Sequence, residues 1–357
     1  MRALDGIVRE VEGEKMKAVV KTRPGPGNVE LREVPEPEPR AGQVRIAVAA
    51  AGICGTDVHI YREEFPSRPP VILGHEFSGR IERLGPDVTG FAPGDPVVAL
   101  TAAVHCGRCR YCLTGNVLMC EHRLSIGHGV DGAFARYVVV PADMIRPVPA
   151  GLDLRQAALA EPAAVAVHAV LERSRITAGD AVLVSGVGPV GLLVLQVARA
   201  QGARVLAAGT ARDRHRLQLA EQLGAEATAD VDSQDLPGVA RHWSRGGVDV
   251  AFECAGAPRS VDACLSSVRR IGTLVQVGLM GRRIECDYEQ VAMRELAVVG
   301  TYGSSVTSWP RALALLSRGS VLTAPLISDV LPLTAWDEGF RKTGSQESIK
   351  VLLDPAA

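Results

Sequence analysis

Three side-chain types that hold zinc at catalytic sites stand close together in the first part of the chain: Cys54, His75 and Glu76. A thiolate, an imidazole and a carboxylate fill three positions of a tetrahedral ion and leave the fourth open for water or substrate. Cys54 precedes a predicted helix start at Thr56-Asp57. His75-Glu76 follow an apolar run, Val71-Ile72-Leu73, that reads as a buried strand. Taken singly, a free Cys or His is more often plain core. A second group, Cys106, Cys109, Cys112 and Cys120, has the spacing C-x2-C-x2-C-x7-C. Four thiolates so spaced close a zinc site with no open position, which makes its role structural. A redox pair or an iron–sulfur cluster is the alternative reading of these cysteines.

A third motif binds phosphate. The buried strand Ala181–Ser185 runs into Gly186-Val187-Gly188-Pro189-Val190-Gly191 and then a helix to Gln201, with another strand at Arg204–Ala208. Gly-x-Gly-x-x-Gly between strand and helix is a dinucleotide turn: Gly186 for the tight bend, Gly188 for approach of the pyrophosphate, Gly191 for close helix packing. NAD-binding forms carry an acid at the end of the second strand to hold the ribose 2′-hydroxyl. Here that stretch is Gly209-Thr210-Ala211-Arg212-Asp213-Arg214, without an acid at the strand end and with arginines following. A guanidinium suits a 2′-phosphate, so the loop favours NADP over NAD. Asp213 as a ribose partner is the alternative.

Composition sets the frame for these motifs. The chain has 357 residues, 47% hydrophobic and 22% charged, with net charge -1. That length suggests two domains. The charge balance and an aromatic content of 4% give no basis for nucleic-acid or anionic-membrane binding. Eight cysteines are too few for a disulfide scaffold. The charged stretch Met1–Lys15 lacks the apolar core of a signal peptide and reads as an extension. The apolar tract Ala181–Ala200 reads as strand-turn-helix in preference to a membrane span. The expected setting is reducing and cytoplasmic.

The positioning elements fall into two patterns. Short β-like segments at Met16–Val20, Val44–Ala51, Gly79–Leu84, Pro96–Leu100 and Phe134–Val140, punctuated by Gly and Pro, make the first part mostly β with barrel or sandwich character. An Ala-rich helix is expected over Leu154–Arg173. From Asp180, strands alternate with helices (Arg212–Leu223, Val248–Glu253, Val261–Val268, Thr273–Val277), as in a parallel α/β sheet. After Gly300 a short return is expected: helices at Trp309–Leu316 and Thr334–Thr343, strands at Ile327–Leu331 and Ile349–Leu353.

These residues resemble the zinc-dependent medium-chain dehydrogenases over residues 16–355. Gly74-His75-Glu76-x-x-Gly79-x5-Gly85-x-x-Val88 matches that family's zinc signature, Cys106–Cys120 its structural zinc and Gly186–Gly191 its cofactor turn. The resemblance implies a Rossmann-type doubly wound parallel sheet at 165–300. It also implies a mostly-β, GroES-like catalytic domain split around that sheet, at 1–164 and 301–357, with the structural zinc lobe at 100–122. It implies two Zn2+ per chain, a homo-oligomer (tetramer or dimer) and a small hydroxylated substrate. Cofactor contacts would come from Gly186, Gly188, Pro189, Val190, Gly191, Thr210, Ala211, Arg212, Arg216, Val277 and Gly278.

Within the family, Ala160-Glu161-Pro162 with a downstream His168 and no Cys resembles the polyol (sorbitol-type) and threonine dehydrogenase branch. There the catalytic ion is held by residues matching Cys54, His75 and Glu76, with Glu161 bound directly or through water. His168 reads as helix packing. Thr56 is expected to take the hydroxyl proton and His59 to relay it. Two departures bear on substrate. Gly300-Thr301-Tyr302-Gly303 lacks the Arg of sorbitol dehydrogenases, and Thr101-Ala102-Ala103 lacks the Glu and His of threonine dehydrogenases. A polyol, cyclitol or sugar is therefore expected ahead of L-threonine. A non-catalytic member of the fold would have lost zinc donors or turn glycines, and all of them are present.

Overall fold

The computed structural model describes residues 14–357. The expected extension over 1–15 thus lies outside the described residues up to position 13, and Lys15 already opens a strand.

The six strands Ala227–Asp230, Arg204–Gly209, Ala181–Ser185, Val248–Glu253, Val268–Gln276 and Ala297–Gly300 lie side by side in that order, and every pairing is parallel. The chain starts in the middle and reverses direction across the sheet between Ala181–Ser185 and Val248–Glu253. This is the doubly wound order, whose ligand crevice opens at the carboxyl ends of the strands where the direction reverses. Ala181–Ser185 is buried along its whole length, as a strand with helices on both faces must be. Two apolar cores flank the sheet. One contains Val182, Val184, Leu193 and Phe252, the other Leu183, Leu206, Ala251 and Leu274.

A second sheet of seven strands is built around Gln43–Gly52, which pairs with Glu76–Leu84, Tyr137–Pro141 and Lys350–Asp354. A three-stranded sheet, Val29–Pro35, Lys15–Lys21 and Val71–Ile72, lies apart from it. The late strand Lys350–Asp354 joins antiparallel to Gln43–Gly52, with Leu352 opposite Gly52. The end of the sequence thus returns to the first, mostly-β part, as expected for a split unit.

Several elements differ from the sequence reading. The helix expected over Leu154–Arg173 is broken into Leu154–Ala157 and Ala160–Val167 and ends in a wider turn, His168–Glu172. Strands Ala227–Asp230 and Ala297–Gly300 and helix Leu236–Ser244 were not expected. The two strands are four residues each, too short for a period-2 pattern to register. Val268 starts a strand where a helix end was expected.

Candidate active site

Cys54 lies two residues beyond strand Gln43–Gly52 and caps helix Gly55–Tyr61, its N–H donating to Asp57 Oδ2 at 2.8 Å. His75 and Glu76 arrive on the neighbouring strand, because Gly52 pairs with Glu76. Strand pairing alone therefore brings a residue near 54 against residues near 76. The ligand atoms of Cys54, His75 and Glu76 all lie within 4.8 Å of one another. A thiol, an imidazole and a carboxylate so placed fit a zinc ion.

The surroundings of this trio were only partly foreseen. Asp57 Oδ1 faces His75 Nδ1 at 3.6 Å, and both atoms are buried without a hydrogen-bond partner. Burial works against a charged imidazole here, but Asp57 and Cys54 outweigh it and hold His75 protonated well above its ordinary range. A metal taken up here would compete with that proton. Lys350 was missed entirely. Its ammonium donates to Glu76 Oε2 at 2.6 Å and to the carbonyl of Ile53 at 3.1 Å. Burial opposes its charge, yet Glu76 and Cys54 raise its pKa above normal. The available signal was a lysine set against the apolar run Val351-Leu352-Leu353 at the start of strand Lys350–Asp354.

The trio forms part of the wall of a cavity that also receives Thr56, Glu161, Thr101 and Thr301. Glu161 stands outside the donor trio. Burial pushes its carboxyl up to about 7, Glu76 adding to the rise against His75 and Lys350. Thr56 Oγ1 is 3.7 Å from Cys54 Sγ. His59, in contrast, is half exposed, pairs with Glu64 at 2.7 Å and does not line the cavity. His168 pairs with Glu172 at 2.6 Å. His128 and Arg123, also absent from the sequence reading, line the cavity. Burial, with His75 and Arg123 nearby, lowers His128 to about 4, so its ring is neutral at ordinary pH. Its flanking residues, Gly127 and Gly129, were the only signal.

Val190 and Val277, from the nucleotide side, line the same cavity. Helix Pro189–Ala200 begins directly after Gly188 with Pro at its first turn. Gly186 has φ 99° and no room for a Cβ against Ala255, and a Cβ on Gly191 would overlap the Gly186 carbonyl. A Cβ on Gly188 would meet nothing within 4 Å, leaving open backbone before a helix N-terminus, which fits a pyrophosphate. Across the crevice Glu253 accepts from the N–H groups of Ala255 and Gly256 at 3.0 Å and from Gln276 Nε2 at 2.6 Å. The N–H groups of Val277 and Gly278 donate to its backbone carbonyl.

The ribose loop holds a different acid from the one weighed in sequence. Asp213 is spent internally: Oδ2 accepts from Thr210 N and Oγ1, and Oδ1 pairs with Arg216 at 3.3 Å. Arg216 is buried and also donates to the carbonyls of Gln346 and Ser348, so it ties the loop to the returning chain. Asp232 reaches the loop instead, accepting from Ala211 N at 2.9 Å. Arg212 is exposed and has no carboxylate within 4.0 Å among the described residues.

Away from this crevice, the ligand atoms of Cys106, Cys109, Cys112 and Cys120 also lie within 4.8 Å of one another, unbridged by disulfides. Sγ–Sγ separations of 3.5 Å (Cys109–Cys112) and 3.9 Å (Cys106–Cys112) bracket the ~3.8 Å edge of a zinc–thiolate tetrahedron with bonds of ~2.3 Å. Backbone N–H groups of Arg108 and Cys109 lower Cys106 to about 6, whereas burial and the neighbouring thiols Cys109 and Cys120 push Cys112 up to about 12, so an ion held by all four sulfurs would have to displace protons.

A split mostly-β unit and a doubly wound sheet, facing each other across a donor trio, define a metal-dependent dehydrogenase architecture. Residues 40–150 match the alcohol dehydrogenase GroES-like domain, and residues 189–318 match the zinc-binding dehydrogenase family. The chain belongs to this family of zinc-binding dehydrogenases. It is 39% identical to the sorbitol dehydrogenase of Halalkalibacterium halodurans, covering 95% of this chain and 99% of that one. With the D-arabitol-phosphate dehydrogenase of Enterococcus avium it shares 36% identity, over 95% and 97%. A solved structure described as a zinc-binding dehydrogenase of Sinorhizobium meliloti bound to NADP superimposes with a TM-score of 0.88 at 35% identity, covering 96% and 100% of the two chains. Among the described residues no helix is long and apolar enough to cross a membrane.

Proposed function

We propose that this enzyme reversibly oxidises a secondary alcohol of a polyol, cyclitol or sugar to the ketone, using NADP in preference to NAD. The observation that carries this is the Cys54–His75–Glu76 trio on a cavity wall shared with Val190 and Val277 of the nucleotide side. Cys54, His75 and Glu76 would hold the catalytic zinc, with Glu161 beside them, and Cys106, Cys109, Cys112 and Cys120 would hold the structural one. When bound, the zinc supplies Lewis acidity that lowers the pKa of an alcohol, and the nicotinamide accepts hydride. Thr56, on the same wall, accepts a hydrogen bond from the reacting hydroxyl and gives up its own proton as that hydroxyl ionises. His59, outside the cavity wall and held at Nδ1 by Glu64, would take that proton on toward solvent. The Gly186–Gly191 turn, with Pro189, Val190, Val277 and Gly278, positions the dinucleotide.

Arg212, without a carboxylate within 4.0 Å among the described residues, supports the NADP preference, with Thr210 and Ala211 beside it. Asp232 is the residue that works against it. The catalytic unit comprises 1–164 and 301–357, the nucleotide unit 165–300. Homo-oligomerisation is supported by the sheet edge Ala297–Gly300, which among the described residues pairs only with Val268–Gln276 and carries exposed Val298, near exposed Met293 and Tyr288. Eight free cysteines support a reducing, cytoplasmic setting. The deciding experiment is a panel of polyols, cyclitols, sugars and L-threonine, each with NAD and NADP. Turnover of L-threonine alone would replace this substrate class.

A further inference from the structure

Next to the catalytic cavity lies a second cavity of about 320 Å³. The two share a wall made by Phe65, Arg123, Ser125, His128 and Tyr302, so a substrate seated at Cys54 has its far end there. Its polar lining is Ser67, Arg68, Arg123, Ser125, His128 and Tyr302, and among the described residues no Asp or Glu contributes. Neither arginine has a carboxylate within 4.0 Å among the described residues. Arg68 is fixed beside His128 by its own backbone, whose N–H donates to the His128 carbonyl at 2.8 Å. Arg123 lies over the ring of Tyr302, 5.3 Å from its centroid, and donates to the Tyr302 hydroxyl at 3.3 Å. Two guanidinium groups, three hydroxyls and a carboxylate-free wall are the chemistry of an oxyanion pocket. A neutral alditol uses the hydroxyls and leaves both cations unanswered.

We infer that the substrate is a polyhydroxy chain ending in an oxyanion, a phosphate monoester or a carboxylate, held between Arg68 and Arg123 while the reacting hydroxyl lies at Cys54. This rests on the alcohol-oxidising reading of the Cys54 cavity and narrows its substrate class. Arg68 and Arg123 determine specificity and take no part in hydride or proton transfer.

The test compares kcat/KM for D-sorbitol, sorbitol 6-phosphate and D-gluconate with saturating NADP, in the parent, Arg68→Gln, Arg123→Gln, Arg123→Lys and the double Gln variant. One of the two anions is expected to exceed sorbitol by about tenfold or more, chiefly through KM. Which one does so identifies the terminal group. The double Gln variant should bring that ratio near unity, and Arg123→Lys should restore part of it. Because the ratio is taken within each variant, loss of folded protein cancels. A parent that handles sorbitol as well as both anions, or a ratio that survives the double substitution, overturns the inference and leaves the alcohol-oxidising reading standing. If no alcohol, charged or neutral, is oxidised here or in the wider panel, both fall together.

Discussion

Lys350 and Glu76 form a buried ion pair whose side chains are 3% and 2% exposed. Neither charge can be left alone, since removing one partner of such a pair costs about 3–5 kcal/mol by stranding the other. Lys350→Met should therefore lower the free energy of unfolding by roughly 3 kcal/mol or more, and Lys350→Arg by much less. Denaturant titration of the two variants against the parent checks this, and equal losses in both would mean that packing matters and charge does not. Cys54→Ala makes the complementary case. It removes a zinc donor from the surface of the cavity without touching the nucleotide sheet. Turnover should vanish while NADP binding, followed by fluorescence titration, stays within about twofold of the parent. Loss of cofactor binding would place Cys54 in a role other than metal ligation.

At the level of elements, the two cysteine-bearing segments should behave oppositely. The Cys106–Cys120 lobe has few buried apolar side chains (Val117 and Leu118 among them), so its order depends on the ion it is built for, and structural zinc contributes folding free energy directly. Cys109→Ala should lower the melting temperature and zinc content together, whereas Cys54→Ala lowers zinc content with little change in melting. The reverse pattern means that the two sites have been assigned backwards. In the ribose loop, Ala211→Asp with Arg212→Leu places an acid where a 2′-phosphate would sit. The NADP-to-NAD ratio of kcat/KM should fall by about tenfold or more. If the parent already prefers NAD tenfold, Asp232 is the ribose partner, because Asp213 is committed to Thr210 and Arg216.

The return elements after Gly300 carry a pH signature. Lys342 on helix Trp336–Ser345 reaches Asp329 on strand Ile327–Pro332 at 2.6 Å, and Ser348 donates to the same carboxylate. The Lys342 hydrogen bond, then that of Ser348, hold Asp329 below the usual carboxylate range. A depressed folded pKa contributes stability that is present above the unfolded value, about 3.9, and is lost as pH falls through the folded one. Asp329→Asn should thus melt below the parent at pH 6–7, with the gap closing as pH drops below roughly 4. A gap that stays constant to pH 2 removes the linkage.

Over the whole molecule, what could be read in advance followed chemical rarity and local pattern. Cys54, His75, Glu76 and the four lobe cysteines were legible because few other roles explain such spacings. Gly186–Gly191 was legible because strand, turn and helix are contiguous. Lys350, Arg123 and His128 were not, since each reaches its site through a strand pairing or a loop contact that no local period encodes. Asp232 was hidden for the same reason: its approach to Ala211 depends on the parallel register of Arg204–Gly209 with Ala227–Asp230. Two groups of metal donors among the described residues bear on the chain as a unit. Metal analysis of protein never exposed to chelator should find two zinc ions per chain, and one ion at full activity rejects the second site.

The buried pair between Glu76 and Lys350 spans 274 residues, and that span has a meaning in time. At about 5–20 residues per second, a ribosome needs roughly 14–55 s to make Lys350 after Glu76. Strands Gln43–Gly52 and Glu76–Leu84 can pair long before then, bringing thiol, imidazole and carboxylate together with no ammonium opposite them. For that interval the trio, if paired, would lack the ammonium that faces it in the finished protein, and a cation there would meet less opposing charge. Once Lys350–Asp354 docks, its positive charge sits beside the ion. A site loaded during synthesis is sealed by its own last strand, and one emptied afterwards must refill against that charge.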